Sequence, residues 1–207
     1  MTKPAKVFTQ SKEDIDWDKT KGDLAFIESL KQFSDSSNWR IVVSGGYGLD
    51  ILLGQITRTH NDVDIIIYGQ DSREDIRTKI PNFLTDLIPN ATIKISENDF
   101  MVDIDLNSPG LGANIYYVQT GDNPFSNLNK VVKKSGEMVT NSQKRFPPPM
   151  SGKLEELEID VQNPHSHLAD ILFKQRTLLH KSTHDQDIAN LRQITSSTIV
   201  DEILSLS

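Results

Sequence analysis

The segment NDVDIIIY, residues 61–68, sets two aspartates one residue apart at the head of a β-branched, nearly continuous apolar run. Strand side chains alternate between faces, so Asp62 and Asp64 project together while Val63 and Ile65 face the other way. Neighbouring carboxylates repel unless a cation or protons lie between them. The run therefore reads as a strand over Asp62 to Tyr68, buried on both faces, whose leading end is built to meet positive charge. Upstream, SGGYGLDILLG places Ser44, Gly45 and Gly46 before a short helix over Gly48 to Leu53, with Gly54 closing it in the left-handed conformation. A glycine turn opening a helix offers backbone N–H groups at the positive end of the dipole, which suits a phosphate chain. Carboxylates and phosphate together select a hard cation. Magnesium takes one or two carboxylates and completes its shell from water and substrate phosphates. The two motifs are thus the halves of a nucleoside triphosphate site.

The flanking segments supply a scaffold. A helix is expected from Ser11, with Ser11 and Asp14 as a capping pair and Leu24, Ile27, Leu30 and Phe33 at helical spacing. Arg40 to Val43 reads as a short buried strand ending at the glycines. Ser72 and Asp75 cap an amphipathic helix that carries Ile76, Ile80, Phe83, Leu84 and Leu87. ATIKIS, FMVDIDL and NIYYVQT alternate as strands. Another strand is expected within Lys130 to Val139, between the loop-forming GDNPFSN and RFPPPMSG, and LEELEIDV gives the last one. Asn163 and Pro164 then begin a helix through Leu168, Ile171, Leu172, Gln175 and Leu178, and Thr183 with Gln186 caps the next. The expected class is α/β (α+β), a short mixed β-sheet flanked by helices with a helical C-terminal tail.

Taken in order, SGGYGLDILLG, RTHNDVDIII and FMVDIDLN resemble the nucleotidyltransferase superfamily of the DNA polymerase beta type, with its glycine turn, Asp-x-Asp strand and third acidic strand. More narrowly, Gly-Gly-aromatic-Gly-apolar-Asp followed by Arg-x-His-x-Asp-apolar-Asp is similar to the lincosamide and aminoglycoside nucleotidyltransferases. THDQDIANLRQI is similar to the closing helix of that group. The resemblance spans residues 40 to 106 and, more loosely, 158 to 195. It implies a nucleotidyltransferase domain over residues 11–157, preceded by a flexible stretch, 1–10, and followed by a strand and helical region, 158–207, packed on it. It also implies transfer of a nucleoside monophosphate, AMP from ATP in the first instance, to a hydroxyl of a small molecule such as an aminoglycoside or lincosamide. Pyrophosphate is released and Mg2+ is the cofactor. Asp62 and Asp64 hold the metal, and Ser44, Gly45 and Gly46 cradle the triphosphate. Asp103 and Asp105 share one face of their strand, so periodicity does not choose between them. The resemblance favours Asp103 as the third metal ligand or general base. Lys174, on the first helix after the last strand, either falls where similar enzymes reach the triphosphate or is an exposed lysine on an amphipathic face.

Several residues carry two readings. Arg58 either contacts phosphate or pairs with an acid. Asp50 caps or braces the short helix as readily as it touches a ligand, and His60 fits a surface turn as well as a site. His165, His167, His180 and His184 read as structural or solvated rather than zinc ligands. Asp185 and Asp187 either order the last helices or line an acceptor pocket. The 207 residues carry a net charge of -7, which disfavours nonspecific nucleic-acid binding yet suits a cationic acceptor. Two other functions share the motifs: a toxin-type enzyme modifying a protein or tRNA, and a nucleotide-binding module without turnover. The chain has no cysteine, which excludes thiolate chemistry, and no long apolar stretch, so a cytoplasmic location is expected.

Overall fold

The computed structural model describes residues 9–125, 130–140, 147–176 and 183–205, apart from the side chains of 174–176, 183 and 184. Among these residues the strands form a seven-stranded mixed sheet and a separate two-stranded ribbon. The chain begins with a short turn of 3-10 helix, Lys12–Asp14, and then α1, Trp17–Ser36. Ser11 does not cap α1. Buried Ile15 breaks the helical path with extended backbone, and Asp16 caps α1 instead, its carboxylate accepting from the Lys19 N–H. β1 (Arg40–Ser44) leads directly into α2 (Gly45–Leu53), so the glycines form the first turn of this helix rather than a loop before it. Gly54 closes α2 at φ 69°, as expected.

β2 (Val63–Gly69) is followed by α3 (Arg73–Leu87), capped by Ser72, and by a meander of β3 (Thr92–Glu97), β4 (Val102–Ser108) and β5 (Leu111–Gln119). The Pro109–Gly110 turn joins β4 to β5, with Gly110 at φ 84°. The third strand of the meander, not the second, returns to lie parallel to β2. Lys130–Val132 (β6) and Met138–Thr140 (β7) form the ribbon, a hairpin where a single strand was expected. LEELEIDV likewise divides: β8 (Met150–Leu154) and β9 (Leu157–Val161) pair antiparallel across Glu155, whose φ of 53° turns the chain. β9 then adds parallel to β1, and α4 (Pro164–Arg176), α5 (Thr183–Ile194) and α6 (Ser197–Ser205) complete the chain. The Asn163 carboxamide accepts from the His165 N–H at the head of α4. The expected Leu178 lies outside the described residues.

Burial in β2 alternates strictly, so the expectation of a strand covered on both faces is corrected. Val63, Ile65 and Ile67 are fully enclosed with Ile104, Ile115 and Tyr117, under Phe26, Ile27 and Leu30 of α1 and Ile76, Ile80 and Leu84 of α3. Phe33 and Phe83 stack at 4.1 Å between those two helices. The opposite face of β2, β4 and β5 carries the polar side chains. A second apolar cluster joins Leu49 of α2 to Leu168, Ile171, Ile188, Leu191 and Val200 of the C-terminal helices. No helix among the described residues is long and apolar enough to cross a membrane.

The Glu155 backbone gives a simple check on the β8–β9 turn. A non-glycine residue in the left-handed region costs about 1–2 kcal/mol. Glu155→Gly is therefore expected to raise stability by about 1 kcal/mol in urea denaturation.

Candidate active site

Strand register assembles one row of polar residues across the open face: Lys94 on β3 opposite Asp105 on β4, Asp105 opposite Asn114 on β5, Asn114 beside Asp64 on β2, and Asp64 opposite Ser44 on β1. Asp62 lies just before β2. Asn114 donates through Nδ2 to Asp64 Oδ1 at 3.0 Å and to Asp62 Oδ2 at 3.3 Å, so the two acids do share a face and are clamped by one amide. With ionised carboxylates on that side, the amide presents its NH2 rather than its oxygen. The Ser44 hydroxyl donates to the Asp64 carbonyl at 3.3 Å.

The diglycine bend lies directly against this pair. Gly45 has φ 60°, and a Cβ there would run into Oδ2 of Asp64; a Cβ on Gly46 would run into the imidazole of His60. These two close approaches explain why the bend is built of glycine. His60 is buried rather than in a surface turn. Its Nε2 lies 2.7 Å from Oδ2 of fully buried Asp50, which also accepts from Thr57 Oγ1 at 2.6 Å. Tyr47 packs on the His60 ring at 4.4 Å and donates to Asp23 at 2.6 Å, where Lys19 also binds. Asp50 thus braces the loop between α2 and β2. Arg58 pairs in two-point fashion with Asp187 of α5, Nη2 to Oδ2 at 2.9 Å and Nε to Oδ1 at 3.4 Å, in a largely buried setting. Of its two readings the structure displays the ion pair, formed inside the molecule beside Gly46.

Asp103 and Asp105 occupy the same face as Asp64 but sit on β4, with β5 interposed. The residue that reaches the acid pair from the neighbouring strand is Asn114, which sequence reading took only as part of a strand. Among the described residues no three acids or histidines converge on a common metal position. Asp103 lies one step along the sheet, opposite Tyr116 and Ser96. Its carboxyl is raised above the usual range by burial and by the charge of Asp105, against a lowering hydrogen bond from Ser96, and its Oδ1 is buried without a partner. Tyr116 is pushed up to about 12, first by burial and then by the charges of Asp64, Asp103, Asp105 and Asp62. An open cleft of about 960 Å3 lies over the other end of the face, toward the β4–β5 turn, bordered by Lys19, Asp62, Lys94, Asp105, Asn107 and Asn114. The side chain of Lys174 lies outside the described residues, as does His180. His165 is engaged structurally, its Nδ1 facing the Asn163 carboxamide and its Nε2 accepting from the Ser196 N–H.

Comparison with known proteins places this geometry. Residues 26–120, a little under half of the chain, match the family model of aminoglycoside-2''-adenylyltransferase. The stretch contains the glycine bend, both clamped aspartates and Asn114. The fold is shared with the crystal structure of ANT(2")-Ia in complex with adenylyl-2"-tobramycin, at TM-score 0.61 and 13% identity, over 88% of this chain and 94% of that one. The solution structure of ANT(2'')-Ia gives 0.64 at 13% identity, over 90% and 91% of the two chains. The chain has the nucleotidyltransferase fold. Lincosamide adenylyltransferase LnuA, in its lincomycin-bound crystal structure, has the same fold at TM-score 0.58 and 16% identity, over 88% of this chain and 99% of LnuA. Curated protein sequences yield no match.

Two glycines with opposite surroundings test the bend. Gly45→Ala forces Asp64 to move and adds left-handed strain, so nucleoside triphosphate binding is expected to weaken more than about tenfold in a calorimetric titration. Gly22→Ala, on α1 with open space at the added Cβ, is expected to raise stability by about 0.5–1 kcal/mol and leave binding unchanged.

Proposed function

We propose that the chain transfers a nucleoside monophosphate, in the first instance AMP from ATP, to a hydroxyl of a small cationic or polyhydroxyl compound of the aminoglycoside or lincosamide kind. The observation carrying this reading is the Asp62–Asp64 pair, clamped by Asn114 and pressed against Gly45 at the start of α2. The ligands named in the ANT(2")-Ia and LnuA structures support the acceptor class.

The donor set suits Mg2+: two hard carboxylates on one face, with a phosphate-binding helix end next to them. When bound, the ion neutralises charge on the triphosphate and on the oxygens exchanging at phosphorus. The acceptor oxygen bonds to the α phosphorus as the bond from that phosphorus to the pyrophosphate oxygen breaks, and the hydroxyl proton passes to a carboxylate. Asp62 and Asp64 hold the ion. Ser44, Gly45 and Gly46 hold the phosphates through the backbone, and His60 with Asp50 keeps the bend in place. Arg58 adds positive charge beside Gly46 while Asp187 fixes its orientation. Lys174 is assigned to the triphosphate on sequence resemblance alone. On the acceptor side the geometry favours Asp105, which borders the cleft, over Asp103, whose Oδ1 is buried. Asp105 would attract an ammonium group and accept the proton. The donor's availability fits a cytoplasmic setting.

The test is incubation with labelled ATP, GTP, CTP or UTP and Mg2+ against a panel of aminoglycosides and lincosamides. Label is expected on at least one acceptor. Asp64→Asn and Asp62→Asn are each expected to lower transfer by more than about 100-fold with the fold intact by circular dichroism. Transfer that survives Asp64→Asn removes this reading.

A further inference from the structure

We infer that this chain holds its nucleoside triphosphate with a single divalent cation, because Asn114 stands beside Asp62 and Asp64 where a carboxylate for a second ion would have to stand. The inference rests on the nucleotide reading of the site and concerns how many ions it accepts.

Three observations carry it. First, β5 pairs with β2 so that Asn114 is the register partner of Asp64, and its amide touches both acids. A primary amide brings no charge, so the pair presents two negative charges, the number that one divalent ion balances. Second, Asn114 engages Oδ1 of Asp64 and Oδ2 of Asp62, while Oδ2 of Asp64 abuts the diglycine bend. The carboxylate edge turned toward the phosphate site and the edge turned toward β5 are therefore different. The first can meet a nucleotide-bound cation; the second is occupied by N–H donors.

Third, the remaining acids stand on β4, with β5 and Asn114 between them and the Asp62–Asp64 pair. Asp105 lies in the same row but two strands from Asp64. Adjacent strands are about 4.8 Å apart, so the two backbones are separated by about 10 Å. Asp103 is displaced by a further register step and is engaged by Ser96. Activation of the acceptor hydroxyl then falls to a protein carboxylate instead of a second ion.

The experiment counts Mn2+ by electron paramagnetic resonance on the full chain saturated with a nucleoside triphosphate analogue whose α–β bridge is methylene. The wild type is expected to bind one Mn2+ per bound analogue, and Asn114→Ala also one. Asn114→Asp is expected to bind two. Two ions in the wild type overturn the inference and leave the nucleotide reading standing, as does an Asn114→Asp variant that binds the analogue with only one. If Asn114→Asp does not fold, the wild-type and Asn114→Ala counts still decide. A wild type that binds no analogue at any Mn2+ concentration overturns the nucleotide reading, and the inference with it.

Discussion

The parallel pairing of β5 with β2 is the constraint on which the site depends. It places an amide, the shortest neutral side chain able to donate two N–H bonds from one nitrogen, in register with Asp64 and within reach of Asp62. Without those bonds two carboxylates on one strand face would repel with little compensation. A one-residue slip of β5 would turn Asn114 into the apolar core and bring Ala113 or Ile115 to the open face. The enclosed side of the same strands prevents that slip. Val63, Ile65, Ala113 and Ile115 are buried beneath α1 and α3, so core packing and site geometry are two faces of one register.

Behind the bend, a second set of polar contacts keeps the backbone in place. Asp50 is fully buried yet accepts from Thr57 and faces His60, which satisfies a charge that would otherwise be costly to desolvate. His60 in turn fills the space that the missing side chain of Gly46 leaves, and Tyr47 covers its ring. The motif residues between Gly45 and Asp64 therefore divide their work. Some face the ligand position and others fix the loop connecting the two halves of the site.

Much of this was legible from local pattern. Short apolar runs identified β1 and β2 and alternation β3 to β5, caps located α3 and α4, and the same-face logic for Asp62 and Asp64 holds in three dimensions. Where the sequence reading failed, the missing information was non-local. Nothing in FMVDIDL or NIYYVQT states which strand of the meander returns to β2, so two conspicuous aspartates on β4 drew the assignment that an unremarked asparagine on β5 occupies in space. The Asn114 signal, a polar residue on the open face of an otherwise apolar strand, was present but carries meaning only beside β2. The β8–β9 hairpin was hidden for another reason: its turn uses Glu155 at positive φ, where turn chemistry leads one to look for glycine or asparagine. Ser11 failed as a cap because Ile15 has to reach the core.

The Arg58–Asp187 pair joins a loop near the glycine bend to a helix more than a hundred positions later, and both partners are largely hidden from water. Removing either one strands a buried charge, which is far costlier than losing an exposed ion pair. The tail is consequently not an interchangeable module. A recombinant chimera that keeps this front half but imports foreign closing helices must also import an acid at that one spot, or leave a cation without its counter-ion next to the glycine bend.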